Sequence, residues 1–130
     1  MTISEVSNMF HISTDTLRYY ERIGVIPEVH RTSGGIRDYR EEDLSWVENA
    51  ICLREAGVPV EMIAEYVKLF QMGDNTFAAR RDLLKEAREE ILEARKKYDM
   101  ALKRLEYKIS KYEEAVETGK LVWDKKMEEL

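Results

Sequence analysis

The sequence predicts a mainly α-helical protein with a winged helix-turn-helix, a second pair of helices, and one long C-terminal helix of the coiled-coil kind. Three observations predict it. Gly and Pro together number eight in 130 residues while 36% are charged, which favours helices over a turn-rich β protein. Two short capped helices are followed by a basic segment around a Gly-Gly turn. From Thr76 to Thr118 there is no Pro or Gly, and apolar residues recur every seven.

Thr2-Ile3-Ser4-Glu5 has the T-x-x-E form of a capping box, and Ile3, Val6, Met9 and Phe10 follow at helical spacing. The first helix therefore ends near Phe10. Ser13 is a good N-cap for a second helix, with Asp15 at the positive end of its dipole. Gly24 suits a left-handed terminal residue and Pro27 forbids continuation, so this helix stops near Ile23. Two helices joined by about three residues make the helix-turn-helix shape. Residues 28–40, EVHRTSGGIRDYR, then read as a hairpin, with Ser33-Gly34-Gly35 at the turn and Ile36 and Tyr39 strand-compatible.

Glu41 to Ala56 is a helix with two apolar stripes, Leu44-Val47-Ile51 and Trp46-Ala50-Leu53-Gly57, so it should pack on two sides. Pro59 starts another, whose core face is Met62, Ile63, Tyr66, Val67, Leu69 and Phe70 and which Gly73 stops. The long helix that follows places Leu84, Ile91, Tyr98, Leu105 and Tyr112 seven apart. Ala87, Ala94, Ala101 and Ala115 stand three residues later, and Leu102, Ile109 and Val116 take over the neighbouring stripe where Lys108 interrupts the alanines. A helix of roughly 65 Å cannot bury such a stripe on so small a domain, so a dimerising coiled coil is expected. After Gly119, Leu121, Trp123, Met127 and Leu130 keep near-helical spacing, consistent with a short helix folding back.

On the second helix, stepping about 100° per residue, Thr16, Tyr20 and Ile23 share the side of Leu17, while Asp15, Arg18 and Arg22 lie opposite and Tyr19 sits on the border. Tyr20 should be half core with its hydroxyl at an edge. Arg18 and Arg22 project from the helix that would enter a major groove, and Arg is the commonest reader of guanine. The ordinary alternative is exposed arginines on a surface helix. Against it stands the cluster Arg31, Arg37, Tyr39 and Arg40 around the Gly-Gly turn, because a recognition helix followed by a basic hairpin is the winged form of the motif.

Net charge gives this no help. Residues 1–57 carry six arginines against ten acids, and the whole chain is at −5. A general DNA-coating protein would be basic, so any DNA binding must rest on a local cluster. The N-terminus MTISEVSNMF has no basic start or apolar run, so no signal peptide is expected. No stretch approaches a membrane span. The lone Cys52 cannot form an internal disulfide, and a cytoplasmic protein is expected. No Ser/His/Asp or Cys/His constellation and no phosphate loop is present, so an enzyme is not expected.

Taken together, Thr2-Ile3-Ser4-Glu5-Val6, Leu17-Arg18-Tyr19-Tyr20-Glu21 with Gly24 and Pro27, and Arg31 followed by Gly35-Ile36-Arg37-Asp38-Tyr39 resemble the MerR family of bacterial transcription regulators. The resemblance covers residues 1 to about 118. It implies a homodimer, closed by an antiparallel coiled coil, on double-stranded promoter DNA. It further implies distortion of an over-long promoter spacer so that RNA polymerase can engage. By motif position, Arg18 and Tyr20 would contact DNA from the recognition helix, and Arg31, Arg37 and Tyr39 from the wing. Thr14, Thr16, Tyr19 and Arg22 complete the candidate surface. The expected organisation is 1–40 for the helix-turn-helix and wing, 41–75 for a two-helix connector packed on it, 76–118 for dimerisation, and 119–130 for a tail. The dimerisation set is Leu84, Ala87, Ile91, Ala94, Tyr98, Ala101, Leu105, Ile109 and Tyr112. A different class remains open: a coiled-coil protein-interaction module without DNA binding.

The effector is less legible. Metal-sensing and iron–sulfur members of the family need cysteines that are absent here, and His11 and His30 lie in the DNA-binding half, so no metal or cofactor is expected. Cys52-Leu53-Arg54-Glu55-Ala56-Gly57 is similar to the AdhR/NmlR-like branch, for which a lone cysteine is the proposed sensor of aldehydes, other electrophiles or nitrosative stress. A thiolate adds to electrophilic carbon, and its reactivity depends on exposure and cationic neighbours. Cys52 falls beside neither main apolar stripe, nearer Glu48 and Glu41 than the core, and an inert helix cysteine is the alternative. A non-covalent ligand near Trp46, Tyr66, Phe70 and Phe77 is another, as is a core role for those aromatics.

Overall fold

The computed structural model describes residues 1–124. Its helices are α1 (Ile3–Phe10), α2 (Thr14–Ile23), α3 (Glu41–Glu55), α4 (Val60–Gln71) and α5 (Phe77–Thr118), with one 3₁₀ turn, Asp74–Thr76, leading into α5. The chain divides into two compact units, Met1–Ile91 and Leu92–Leu130. Among the described residues no helix is long and apolar enough to cross a membrane.

Local chemistry sets the helix ends. The Thr2 hydroxyl accepts from the Glu5 N–H at 3.1 Å, completing the capping box of α1 with the Glu5 carboxylate on the Thr2 N–H. His11 closes α1 in a left-handed conformation, φ 56°, a position most non-glycine residues avoid. Ser13 caps α2, accepting from the Thr16 N–H at 3.0 Å. Gly24, at φ 82°, lets its own N–H and that of Val25 return to the last carbonyls of α2.

In the first unit the core gathers Val6 from α1, Leu17 and Tyr20 from α2, Val25, Ile26 and Val29 from the following segment, Val47 and Ala50 from α3, and Ile63 from α4. The α2 face built on Leu17 is thus the buried face, as helical periodicity requires. Phe70, expected in the core face of α4, is instead 47% exposed and packs one side on Trp46, their rings edge to face at 5.0 Å.

The expected wing hairpin is smaller than two strands. It is a single antiparallel bridge, Arg31 with Arg37, around the turn Thr32–Gly35. The Thr32 N–H donates to the Ile36 carbonyl at 2.8 Å and the Asp38 N–H to the His30 carbonyl at 2.7 Å. At its base the Tyr39 N–H donates to the Met1 carbonyl at 2.8 Å, joining the segment to the start of the chain.

The α4–α5 junction is held by Thr76 and Arg80. The Thr76 hydroxyl reaches the Leu69 and Gly73 carbonyls, each at 2.7 Å, and Arg80 Nε donates to that hydroxyl at 2.8 Å. The Arg80 guanidinium lies over both the Phe70 and Phe77 rings, at 5.2 and 5.0 Å from their centroids. These contacts begin α5 at Phe77.

Of the expected dimerisation set, Ala87 is buried inside the first unit and Ile91 is partly buried there. Ala87 is 6% exposed within the core cluster and Ile91 packs against that cluster. The reason is reach: the first turns of α5 lie against Leu53, Val58, Met62 and Ile63, which covers Ala87 while Leu84 stays 46% exposed.

In the second unit, residues 119–124 return against α5 without forming a helix. Trp123 packs on the rings of Tyr107 and Tyr112 at 5.9 and 5.8 Å, the Asp124 N–H donates to the Tyr107 hydroxyl at 2.7 Å, and Lys111 pairs with Asp124 at 3.2 Å. The expected tail helix has no helical residue up to Asp124, and its Met127 and Leu130 lie outside the described residues. Beside this strap, and sharing Tyr112 with it, an open, mainly apolar groove is lined by Leu105, Ile109, Tyr112 and Val116.

Candidate nucleic-acid interface

The site is built from the outward side of α2 and the wing. Ser13 fixes where α2 starts, and the buried Leu17 and Tyr20 fix its rotation, so Arg18, Tyr19 and Arg22 are exposed together. Arg18 is held extended along the first turn, donating to the Thr14 hydroxyl at 3.3 Å and to Asp15 at 3.1 Å. Thr16 shares a hydrogen bond with Ser13 at 2.8 Å. Arg22 lies over the Tyr19 ring, 5.3 Å from its centroid, which settles the ambiguous tyrosine: Tyr19 is 40% exposed and stacks beneath a guanidinium on the outer side. Tyr20 is only 9% exposed, so it is more fully core than half buried.

In the wing, Arg31 donates to the Gly35 carbonyl at 2.9 Å, closing the turn, and its side chain remains 41% exposed. Arg37 turns inward: its Nε donates to Glu21 at 2.7 Å. The same carboxylate accepts from the Val29 N–H at 2.9 Å.

Tyr39 departs most from the sequence expectation. Read there as a DNA-contacting residue, it is 2% exposed, one of the largest fully buried side chains, and its hydroxyl has no hydrogen-bond partner among the described residues. The correction has a simple cause: the alternation that sends Arg37 toward Glu21 carries Tyr39 into the core beneath α2 and α3. Burial pushes the Tyr39 phenol above its ordinary pKa; nearby Arg37 and Arg18 oppose that rise, and Glu21 and Asp43 assist it.

Three partners escaped the sequence reading. Glu21 was read only as part of a motif, although it is the hub between α2 and the wing. His30 joins the wing to α3, with Nδ1 2.8 Å from Asp43 and Nε2 3.2 Å from Glu42. Asp43, buried at 5%, also accepts from the Arg40 N–H at 2.9 Å and so caps α3. Only Asp43 had a local signal, as an acid in the first turn of a helix.

Cys52 lies on α3 and is an exposed free thiol. Trp46 packs on both Tyr66 and Phe70, so those aromatics pack on one another.

Residues 1–69 match the family model described as MerR HTH family regulatory protein. The chain is 46% identical over 93 residues to the HTH-type transcriptional regulator AdhR of Bacillus subtilis, a match covering 72% of this chain and 66% of AdhR. Among solved structures it is similar to a Listeria monocytogenes chain assigned to the MerR family of transcriptional regulators, at 41% identity and a TM-score of 0.82, covering 87% and 86% of the two chains. It is also similar to HiNmlR, a MerR family regulator lacking the sensor domain and solved bound to promoter DNA, at 28% identity and a TM-score of 0.79, covering 92% of this chain and 95% of that one. With its helix-turn-helix and long C-terminal helix in place, the chain belongs to the MerR family of DNA-binding transcription regulators.

Proposed function

We propose that the protein is a homodimeric regulator that binds and distorts a promoter operator so that RNA polymerase can use it. The observation that carries this reading is the shared outward face of Arg18, Tyr19 and Arg22 on a helix whose rotation is fixed by Leu17 and Tyr20. Thr14 and Thr16 flank its N-terminus, and Arg31 extends the basic surface into a winged arrangement. Arg37 contributes through its terminal nitrogens while Nε stays on Glu21. The likeness to HiNmlR supports DNA binding of this kind. In this reading 1–40 reads DNA, 41–75 connects, 76–118 dimerises as an antiparallel coiled coil, and 119–130 is a tail, of which residues 119–124 return against α5. The dimer contact uses Ala94, Tyr98, Ala101, Leu105, Ile109 and Tyr112, with Leu84 at its margin.

Arg18→Ala should weaken binding to the duplex upstream of the protein's own gene by about tenfold, the worth of one good arginine contact. The slope of log affinity against log salt should fall by about one. Unchanged affinity and slope in a mobility-shift titration would reject the assignment and favour a protein-interaction module.

A second reading concerns the signal. The exposed thiol of Cys52 and the likeness to AdhR support a switch by aldehydes or other thiol-reactive species. The thiolate adds to a carbonyl carbon and the resulting alkoxide takes up a proton, placing a bulky polar adduct on α3, between the reading unit and the rest of the chain in sequence. Cys52→Ser should abolish formaldehyde- or methylglyoxal-induced transcription while leaving operator affinity intact. Equal induction in wild type and variant would leave a non-covalent ligand, or no effector, as the account.

A further inference from the structure

Glu21 follows Tyr20 on α2 and precedes the outward Arg22, yet its side chain is only 8% exposed. Three donors converge on it. Arg37 Nε lies 2.7 Å from Oε1, the Val29 N–H donates to Oε2 at 2.9 Å, and a terminal nitrogen of Arg31 stands 4.0 Å from Oε2. Arg31 and Arg37 are partners in the wing's only bridge among the described residues, so their like charges sit side by side. A carboxylate between them offsets that repulsion and ties both to α2.

Its charge is the wrong sign for a direct role at a phosphate surface. A carboxylate there weakens binding by repulsion unless it does something else, and burial under two arginines identifies what that is. A wing and a helix on one duplex act as linked contacts, and the second adds affinity only if its spacing from the first is right. Phosphate contacts of this kind set register.

We infer that Glu21 is a positioning residue for DNA recognition: it locks the wing to α2 so that the arginines of both meet the duplex in fixed register. This rests on the DNA-binding reading above. Because Glu21 acts through Arg37, its effect belongs to specific binding rather than to general attraction for DNA.

The test uses the full chain with two probes, the duplex upstream of its own gene and a scrambled duplex of equal length and composition. Glu21→Gln should bind the promoter duplex about tenfold more weakly, the scale of a lost hydrogen bond to a charged group. Binding to the scrambled duplex should stay level or tighten, so the ratio of the two affinities falls. In an Arg37→Gln background the same change should add little. Tighter binding to both probes would make Glu21 a simple repulsive charge and overturn the inference. A parallel loss on both, together with a lower unfolding midpoint, would make it merely structural and also overturn it. If Arg18→Ala alters neither probe, the DNA-binding reading itself has failed, a result distinct from both. The wild-type chain supplies a measurement that needs no variant to fold: on the promoter duplex the Arg37 Nε–H should exchange slowly with solvent. Fast exchange would mean that the pair opens on DNA, and the lock would be refuted.

Discussion

Leu17→Ala should destabilise the first unit by about 3 kcal/mol, within the range for truncating a fully buried leucine. Leu17 has no exposed surface and sits in the cluster with Val6, Tyr20, Val25 and Val47. Contacts from α1, α3 and the segment after α2 therefore surround the methyl groups that alanine would remove. Little relaxation is open to such a site, so most of the cavity cost remains. A domain of this size is stable by about 5–15 kcal/mol, so the loss is a large share of the total. Urea unfolding followed by circular dichroism should show a lower midpoint with an unchanged slope. A loss below about 1 kcal/mol would mean that α2 is not anchored through this face. The rotation of Arg18 and Arg22 toward solvent would then need another cause.

Ile109→Glu should convert the proposed homodimer to monomer at micromolar concentration, seen by sedimentation equilibrium or light scattering. Ile109 is 55% exposed within the chain, in a stripe with Leu102, Leu105 and Val116 at 53%, 56% and 86%. So much contiguous apolar surface on one helix face marks a surface made for a partner. In a twofold dimer each substitution occurs twice, and each places a carboxylate that must be desolvated in an apolar seam. A hundredfold weaker dimer, about 2.7 kcal/mol, is the least expected. Because the side chain is half exposed in one chain, helicity should be preserved. A variant that remains dimeric would move the interface off this stripe.

The helices were legible because their signals are short-range. Thr2 with Glu5, Ser13 with Thr16, and Gly24 each act on backbone groups within four residues, and each does in the structure what its residue type allows. Leu17 inward and Arg18 outward follow from helical period alone. Outside a helix, motif position was not enough. Tyr39 looked like a wing residue because it follows a basic turn, and only packing decides that position 39 points into the core. The same limit holds for α5. Its heptads run on through Ala87 and Ile91, but there Ala87 is already buried in the core and Ile91 partly so.

The sequence by itself determined where helices start and stop, which side of α2 is apolar, and the family to which the motif belongs. The tertiary structure alone decided which charges are free. Glu21 meets Arg37 across 16 residues and His30 meets Asp43 across 13. No local rule encodes either pair. Backbone preferences act within a turn, whereas a salt bridge between distant residues exists only once the chain between them has closed and its burial makes the unpaired charge costly. That closure took one arginine and one tyrosine of the basic wing inward, leaving Arg31 and Arg40 exposed there beside Arg18 and Arg22 of α2.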